Sequence, residues 1–300
     1  MNNPLVSIIT PTYKHEDFIG ECIESVLGQT YDNWEQIIID DCSPDKTLEK
    51  IYSYKDSRIR VIQNKERGGP SKLHVSYNNA LELANGELIA VLEGDDCWPK
   101  DKLEKQVPIH EKHVVLTWGL AAEKFENKIV MPQKKRNQRQ QKICPDLNEL
   151  LLGNIIPAVT VMIRKNELCK IGGFWQPVGA VLVDYPTWLL LKRFGYFVFI
   201  PAILGIHRIH DQQISKKHAT TMLESSIYYI DDILARLNTI EKRNLNMRHV
   251  TAAQCLRRAS LSEKVSDIIQ AKKYYRKVLA LGNLQQCFKA VKKLLLLRDV

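Results

Sequence analysis

The sequence lacks a cysteine framework. Its seven cysteines are an odd number, and no two of them are spaced as Cys-x-x-Cys. A disulfide scaffold or a structural zinc site is therefore not expected, because both need paired cysteines at regular spacings. Scattered reduced thiols are typical of a cytoplasmic protein, which is the location that we predict.

Long hydrophobic runs are also missing. No segment reaches the roughly 18 consecutive apolar residues that a membrane-spanning helix needs. The N-terminus leads directly into a strand pattern, so we expect no signal peptide. Any membrane contact would therefore be peripheral, on the cytoplasmic face. With 300 residues, 45% of them hydrophobic, the chain can form one large α/β domain and a smaller appendage.

Negative charge is scarce near the C-terminus. Residues 221–300 contain fifteen Lys and Arg against seven Asp and Glu, a net charge of +8 out of +9 for the whole chain. The first 220 residues are therefore nearly neutral. A basic tail of this kind indicates an anionic partner, which could be a membrane surface, a nucleic acid or an acidic protein.

The first half of the chain alternates between strand and helix patterns. Short, β-branched apolar runs predict buried strands at residues 5–10, 36–39, 59–63 and 88–92. Apolar residues at helical spacing lie between them, at residues 19–28, 47–54 and 73–84. This alternation predicts a Rossmann-like, mostly parallel sheet with helices on both faces.

The second half is predicted to add two strands and then only helices. Residues 160–163 and 196–200 are strand candidates, and we expect Pro201 to end the second of them. Beyond residue 217 the pattern is helical, most clearly at residues 222–237 and 266–281. We therefore predict a sheet domain at residues 1–217 and a basic helical region at residues 218–300.

Polar residues follow three of the predicted strands. They are Thr12 and Tyr13 after the first strand, Asp40 and Asp41 after the second, and Glu93, Asp95 and Asp96 after the fourth. Ligands bind beyond the carboxyl ends of parallel strands, so we expect these residues to share one site. Clustered carboxylates repel one another unless a cation is bound, and oxygen ligands suit Mg²⁺ or Mn²⁺ bridging a diphosphate. A solvated acidic turn is the alternative, and either aspartate of the pair could simply cap a helix or turn.

Two later segments carry further candidates. Asp184 precedes a helical stretch at residues 188–194, where an aspartate usually caps the helix. Arg208 and His210 lie close together, and a guanidinium suits phosphate oxygens while an imidazole can bind a metal or donate to phosphate. An exposed basic turn is the alternative there. The basic loop at residues 134–142 could meet a phosphate on a lipid-linked acceptor or stay solvated.

Three blocks of the sequence resemble glycosyltransferase family 2, whose members are inverting enzymes with the GT-A fold. In chain order they are VSIITPTYKHEDFIGECIESVLGQTYDNWEQIIIDDCSPDKT, LELANGELIAVLEGDDCWPKDKLEKQV and GGFWQPVGAVLVDYPTWLLLKRFGYFVFIPAILGIHRIHDQQIS. One block alone would be a weak signal, whereas three in the family's order and spacing are a strong one.

The resemblance implies a role for several of the candidate residues. Thr12 and Asp41 would contact the nucleoside, Asp95 or Asp96 would hold the metal and the ribose–diphosphate edge, Asp184 matches the catalytic base, and His210 matches a histidine that reaches the metal or the diphosphate. From their positions in the sequence we also expect Tyr13, Glu93 and Arg208 to join in donor binding. The sequence departs from the family pattern at Glu93, Val183, Pro186 and Tyr77, where the family usually has Asp, an acidic residue, an acidic residue and Arg.

These features predict an inverting transfer of a sugar from a nucleotide-diphosphate donor, with UDP-sugar expected first. The acceptor would be a glycan or a lipid-linked intermediate in surface polysaccharide or lipopolysaccharide assembly, and Mn²⁺ or Mg²⁺ would assist. A nucleotidyltransferase is one alternative, although the first strand is not followed by a Gly-rich phosphate loop. A non-catalytic sugar-nucleotide-binding protein is the other.

The basic tail leaves its partner open. Residues 271–279 resemble one helix of a tetratricopeptide hairpin, and residues 288–297 (FKAVKKLLLL) mix Lys with Leu as interfacial helices do. An anionic membrane surface is thus a candidate partner, and packing with the charges facing water is the alternative. Nucleic acid is not expected, because no recognised binding motif is present.

Overall fold

The computed structural model describes residues 3–111, 113–126, 128–131 and 144–297. Within them, eight strands form one sheet: β1 (Val6–Thr12), β2 (Trp34–Asp40), β3 (Ile59–Gln63), β4 (Leu88–Val91), β5 (Val114–Phe125), β6 (Lys128–Val130), β7 (Met162–Arg164) and β8 (Tyr196–Arg208). The basic loop at residues 134–142 lies outside the described residues.

The same residues form helices throughout the chain. The α-helices are α1 (Ile19–Leu27), α2 (Thr47–Ser53), α3 (Leu73–Leu83), α4 (Lys102–Gln106), α5 (Leu147–Leu152), α6 (Lys165–Lys170), α7 (Asp184–Leu191), α8 (Ile214–Lys217), α9 (Ala219–Arg236), α10 (Thr239–Arg243), α11 (Met247–Lys264), α12 (Ile268–Leu281) and α13 (Leu284–Leu296). Short 3-10 helices lie at Pro70–Lys72, Val107–Ile109, Ala158–Thr160 and Lys192–Phe194.

The centre of the sheet is parallel. The strand order is β3-β2-β1-β4-β7-β5-β6, and β8 also pairs with β5. Each pair of neighbouring strands within β1 to β4 is parallel. The strand β7 runs antiparallel to both of its neighbours, β4 and β5. The predicted mostly parallel α/β sheet with C-terminal helices is confirmed.

The central strands are buried because their sequences are almost wholly apolar. Ile8 and Ile9 of β1 have no exposed surface, and Ile23 of α1 belongs to the same core cluster as Ile8. In the parallel register of β1 and β2, Thr12 lies opposite Asp40. The polar residues that follow these two strands therefore reach the same edge of the sheet.

The strands β5 and β8 differ from the sequence-based expectation. The sequence pattern did not predict β5, and the prediction that Pro201 ends the second strand candidate was wrong, because β8 continues to Arg208. Trp118 pairs with Phe199 but Leu120 pairs with Ile203, so a bulge in β8 falls at Pro201. A bulge leaves a residue unpaired, so the missing N–H of proline costs no ladder hydrogen bond.

Packing divides the described chain into two compact units. The sheet unit comprises residues up to 145 together with 155–176 and 182–213, and the helical unit comprises residues 146–154, 177–181 and those from 214 onward. The predicted domain boundary at residue 217 stays a prediction.

The helical unit has a core built largely from small side chains. Ala252, Ala259, Ala271 and Ala290 surround Tyr275 and Val278, and all are buried. Small residues allow α11, α12 and α13 to pack closely, as consecutive helices joined by short turns do. Among the described residues, we find no helix with the length and apolar character needed to cross a bilayer.

Candidate active site

The turn after β4 is held tightly against the end of β1. The N–H of Gly94 donates to the carbonyl oxygen of Pro11 at 3.0 Å, and a Cβ added at Gly94 would lie 2.5 Å from Oγ1 of Thr12. Glycine is required here because a side chain would force the turn away from β1. Thr12 is buried, and its Oγ1 lies 3.2 Å from Nδ1 of His15.

Three carboxylates converge in this turn. Glu93, Asp95 and Asp96 each place an oxygen within 4.8 Å of the other two. The N–H of Asp96 donates to the carbonyl oxygen of Glu93 at 3.0 Å, which closes the turn and keeps the side chains together. Such a cluster is costly without a cation, because the negative charges repel one another in a buried setting.

Asp95 is the member of the cluster that stays ionised. Its Oδ2 lies 3.0 Å from Nε2 of His210 and 3.8 Å from Nε2 of His15. Burial acts to raise the pKa of Asp95, but the two imidazoles together outweigh it and hold the pKa well below its usual range. The structure thus brings together Asp95 and His210, which are 115 positions apart in the sequence.

Asp96 is shielded from solvent and held by the end of β8. Its Oδ1 accepts a hydrogen bond from the backbone N–H of Arg208 at 2.8 Å. Burial, followed by the charges of Asp95 and Glu93, raises the pKa of Asp96 well above its usual range, although the contact with Arg208 opposes this. A cation at the cluster would lower the pKa of Asp96 again and favour the ionised carboxylate.

Glu93 points toward α3 and accepts a hydrogen bond from a tyrosine. The hydroxyl of Tyr77 donates to Oε1 of Glu93 at 2.5 Å. Burial is the main reason that the pKa of Glu93 rises to about 7, and the charge of Asp95 adds to it. Glu93 and Tyr77 are two of the four departures from the family pattern, and in the structure they contact each other.

Arg208 is engaged by the protein itself. Its Nε donates to the carbonyl oxygen of Asp95 at 2.9 Å, and its guanidinium pairs with Glu21 and lies 4.9 Å from the ring centre of Phe18. Burial acts to raise the pKa of Glu21, but hydrogen bonds from Lys124 and Arg208 lower it to about 2. Arg208 therefore stabilises the acidic turn by its hydrogen bond to Asp95, and its role in donor binding stays a prediction.

Asp41 is surrounded by donors from one loop. Its Oδ1 accepts from Nδ2 of Asn64 (2.9 Å) and from the N–H of Gly68 (2.8 Å), and its Oδ2 accepts from the N–H of Gly69 (2.8 Å). Gly69 has a φ of 65°, a conformation that favours glycine. The preceding Asp40 is buried and instead accepts from a backbone N–H in its own turn.

Tyr13 contacts the same loop from the other side. The guanidinium carbon of Arg67 lies 4.2 Å from the centre of the Tyr13 ring. Because Arg67 directly precedes Gly68, one short loop contacts both Tyr13 and Asp41. Tyr13 and Asp41, two of the residues expected to bind the donor, are thus brought together, although their ligand stays a prediction.

Asp184 is the first residue of α7, and Val183 occupies the N-cap position. The segment before α7 is fixed by Thr187, whose Oγ1 accepts from the N–H of Trp175 at 2.9 Å and donates to the carbonyl of Val183 at 2.5 Å. The charge of Asp184 contributes to the raised pKa of Glu93, after burial and the charge of Asp95. Its predicted role as a base stays a prediction.

Sequence reasoning missed several residues that complete the site. His15, Glu21 and Asn64 carry hydrogen bonds to predicted site residues or to the turn that holds them. Their only sequence signal was a position shortly after a strand end or in the first turn of a helix.

The carboxylates of the acidic turn and the imidazole of His210 fit Mn²⁺ or Mg²⁺, since they offer oxygen ligands with one nitrogen beside them.

Comparison with known proteins identifies the family of this chain. The family model described as glycosyl transferase family 2 matches residues 7–167, a span that contains the three acidic residues of the turn after β4. The chain is 34% identical over 218 residues to TuaG of Bacillus subtilis (strain 168), which is named for teichuronic acid biosynthesis. That match covers 71% of this chain and 82% of TuaG.

One further relative and one solved structure are also similar to this chain. WfgD of Escherichia coli, named as a UDP-Glc:alpha-D-GlcNAc-diphosphoundecaprenol beta-1,3-glucosyltransferase, is 38% identical over 149 residues, 48% of this chain and 58% of WfgD. The mannosyltransferase PcManGT of Pyrobaculum calidifontis, solved with GDP-Man and Mn²⁺, superposes with a TM-score of 0.68 over 99% of this chain and 81% of that chain, at 16% identity. The chain therefore belongs to glycosyltransferase family 2 and has the GT-A fold.

Proposed function

We propose that the protein transfers a sugar from a nucleotide diphosphate, with UDP-sugar as the first candidate, to an acceptor hydroxyl with inversion. The observation that carries this proposal is the convergence of Glu93, Asp95 and Asp96 with His210 at the carboxyl edge of the sheet. An acidic cluster of this kind can hold a divalent cation next to a diphosphate.

Asp95, Asp96 and His210 would hold Mn²⁺ or Mg²⁺, which when bound supplies positive charge for the departing diphosphate. Asp95 suits this role because its carboxylate stays ionised. Asp96 is kept in place by the backbone of Arg208. The imidazole of His210 packs against Phe18, with the two ring centres 4.8 Å apart.

Asp184 would act as the general base. It would accept the proton of the acceptor hydroxyl while that oxygen forms a bond to the anomeric carbon and the bond to the diphosphate oxygen breaks. One displacement inverts the configuration and needs no covalent enzyme intermediate. The position of Asp184 at the start of α7, where its charge adds to the raised pKa of Glu93, supports this assignment.

Thr12, Tyr13 and Asp41 would form the nucleoside end of the donor site. Tyr13 offers an aromatic face, and Asp41 holds the loop at residues 64–69 beside it. A nucleoside that contacts Asp41 would have to share or replace its bonds to the loop. Glu93, through Tyr77, would shape the sugar-binding side of the same site.

The relatives suggest the pathway. TuaG is named for teichuronic acid biosynthesis, and the name of WfgD gives a diphosphoundecaprenol acceptor. We infer that this chain acts in the assembly of a surface glycan, as a hexosyl- or N-acetylhexosaminyltransferase on a glycan or lipid-linked acceptor. A cytoplasmic location is the corresponding expectation.

The test is the thermal stability of the protein with UDP, GDP, CDP or dTDP, each with Mn²⁺ or with a chelator. A ligand that binds only the folded state raises the melting temperature. We expect a rise with UDP that needs Mn²⁺ and that Asp95→Asn removes, while the exposed control Asp32→Asn keeps it. If no nucleotide shifts the melting temperature with metal present, the donor site is refuted and a non-catalytic role gains support.

A further inference from the structure

The last helix of the helical unit presents an apolar stripe to solvent. Leu284, Phe288, Val291 and Leu295 of α13 are spaced by four, three and four residues, so they lie along one side of the helix. Leu284 is 92% exposed and Phe288 is 73% exposed. Single exposed apolar side chains are ordinary, but four on one helix face form a contiguous patch that calls for a partner.

The opposite side of α13 is firmly packed, which fixes the direction of the stripe. Ala290 is fully buried, and Nε2 of Gln286 donates to the carbonyl oxygen of His249 at 2.9 Å. Nζ of Lys293 pairs with Oε2 of Glu263 at 2.7 Å. The stripe is therefore held outward by the helical unit and is not a consequence of a poorly packed helix.

Positive charge surrounds this stripe. Residues 268–297, which span α12 and α13, contain seven Lys and Arg and no Asp or Glu. Of these, Lys293 is paired with Glu263, whereas Lys289 and Lys292 are exposed, and Lys292 lies one turn after Phe288. An apolar stripe bordered by lysines suits a surface that is apolar beneath and anionic above.

We propose that α13 docks on an anionic lipid surface, with Leu284, Phe288, Val291 and Leu295 entering the headgroup boundary and Lys289 and Lys292 contacting the phosphates. A helix of 13 residues is only about 20 Å long, so it would lie in the plane of the interface. A second copy of this chain is the less suitable occupant, because it would bring another set of unpaired lysines against the first. The proposal does not depend on the donor site or on the reaction.

The experiment measures sedimentation of the full chain with vesicles of phosphatidylcholine alone and of phosphatidylcholine mixed equally with phosphatidylglycerol, at physiological salt. We expect binding to the anionic vesicles only. The double variant Leu284→Ser/Phe288→Ser should bind roughly tenfold or more weakly, because two large apolar side chains leave the interface. The double variant Lys289→Glu/Lys292→Glu should lose binding in a salt-dependent way.

The matched control is Tyr228→Ser/Ile240→Ser, which removes two exposed apolar side chains elsewhere in the helical unit, 69% and 71% exposed. It should bind vesicles as the unchanged protein does. Equal binding of all variants, or no binding to anionic vesicles, would overturn the proposal. So would a dimer in light scattering that Leu284→Ser/Phe288→Ser dissociates, since the stripe would then be a self-association surface. The response of the melting temperature to UDP and Mn²⁺ should be the same in every variant, which separates this proposal from that on the donor site.

Discussion

At the scale of single residues, the acidic turn shows how neighbours give similar side chains different properties. Asp95 is kept ionised by His15 and His210, whereas burial raises the pKa of Glu93 to about 7. Asp184, whose charge adds to the raised pKa of Glu93, is the first residue of α7, and the dipole of that helix favours a negative charge there. An ionised carboxylate at that position can accept a proton from an acceptor.

Replacing Asp184 with Asn tests the base directly. We expect transfer to fall by about 10²- to 10⁴-fold, because the amide cannot accept the proton. Binding of UDP with Mn²⁺, followed by the melting temperature, should be unchanged. Asp32→Asn, on the exposed surface, is the control. Transfer at the unchanged rate in Asp184→Asn would remove this residue from the mechanism.

Replacing Tyr77 with Phe tests the contact with Glu93. The variant deletes the hydroxyl that donates to Oε1 of Glu93 and leaves that partly buried oxygen with one donor fewer. We expect the free energy of unfolding to fall by about 1 kcal/mol, measured by urea denaturation. Tyr52→Phe, at a tyrosine that is 54% exposed, should change nothing. Equal stability of Tyr77→Phe and the unchanged protein would show that this hydrogen bond contributes nothing.

At the scale of elements, the site depends on how closely the ends of β1, β4 and β8 approach one another. β8 carries Arg208 to the acidic turn only because a bulge at Pro201 lets the strand continue for 13 residues. Arg208 then joins three elements, since Glu21 of α1 and Lys124 of β5 share the same ion-pair network. The approach of the acidic turn to β1 depends in addition on Gly94.

Gly94→Ala should separate the acidic turn from β1. The new Cβ would lie 2.5 Å from Oγ1 and 2.8 Å from Cβ of Thr12, a distance that requires the backbone to move. We expect a loss of about 1–3 kcal/mol in the free energy of unfolding and weaker binding of UDP with Mn²⁺. Gly153→Ala is the control, because a Cβ there meets nothing within 4 Å. Tight nucleotide binding by Gly94→Ala would mean that the close approach is not needed for the site.

At the scale of the whole molecule, buried histidines make stability depend on pH. Burial, together with the nearby charge of Arg164, lowers the pKa of His110 from 6.5 to about 3. The folded protein therefore keeps this imidazole neutral while the unfolded chain protonates it. This contribution to stability is complete above pH 6.5 and is lost progressively as the pH falls from 6.5 toward 3.

We expect the free energy of unfolding to fall by up to about 1.4 kcal/mol per pH unit from this one group. Urea denaturation between pH 7 and pH 5 would show it. His110→Gln should decline less steeply over that range, and the exposed His113→Gln should follow the unchanged protein. The same slope in all three proteins would refute the assignment to His110.

Much of the sheet and of the site could be predicted from the sequence. Continuous apolar runs at β1, β2 and β4 indicated buried parallel strands, and parallel strands place their carboxyl ends at one edge. That rule alone brought Thr12, Asp41 and Asp95 together. The mixture of Lys and Leu at residues 288–297 was likewise visible before the fold was known.

Only the tertiary structure decided which partner each of these residues has. Glu21 pairs with Arg208 across 187 positions, and Asp95 meets His210 across 115. No local pattern encodes such contacts, because they depend on how β8 crosses the sheet. The strand through Pro201 shows the same limit, since proline ends a strand by its local chemistry unless a bulge removes the need for its N–H. The sequence thus determined the fold class and the chemical types at the site, and packing between distant elements determined their geometry and their charge states.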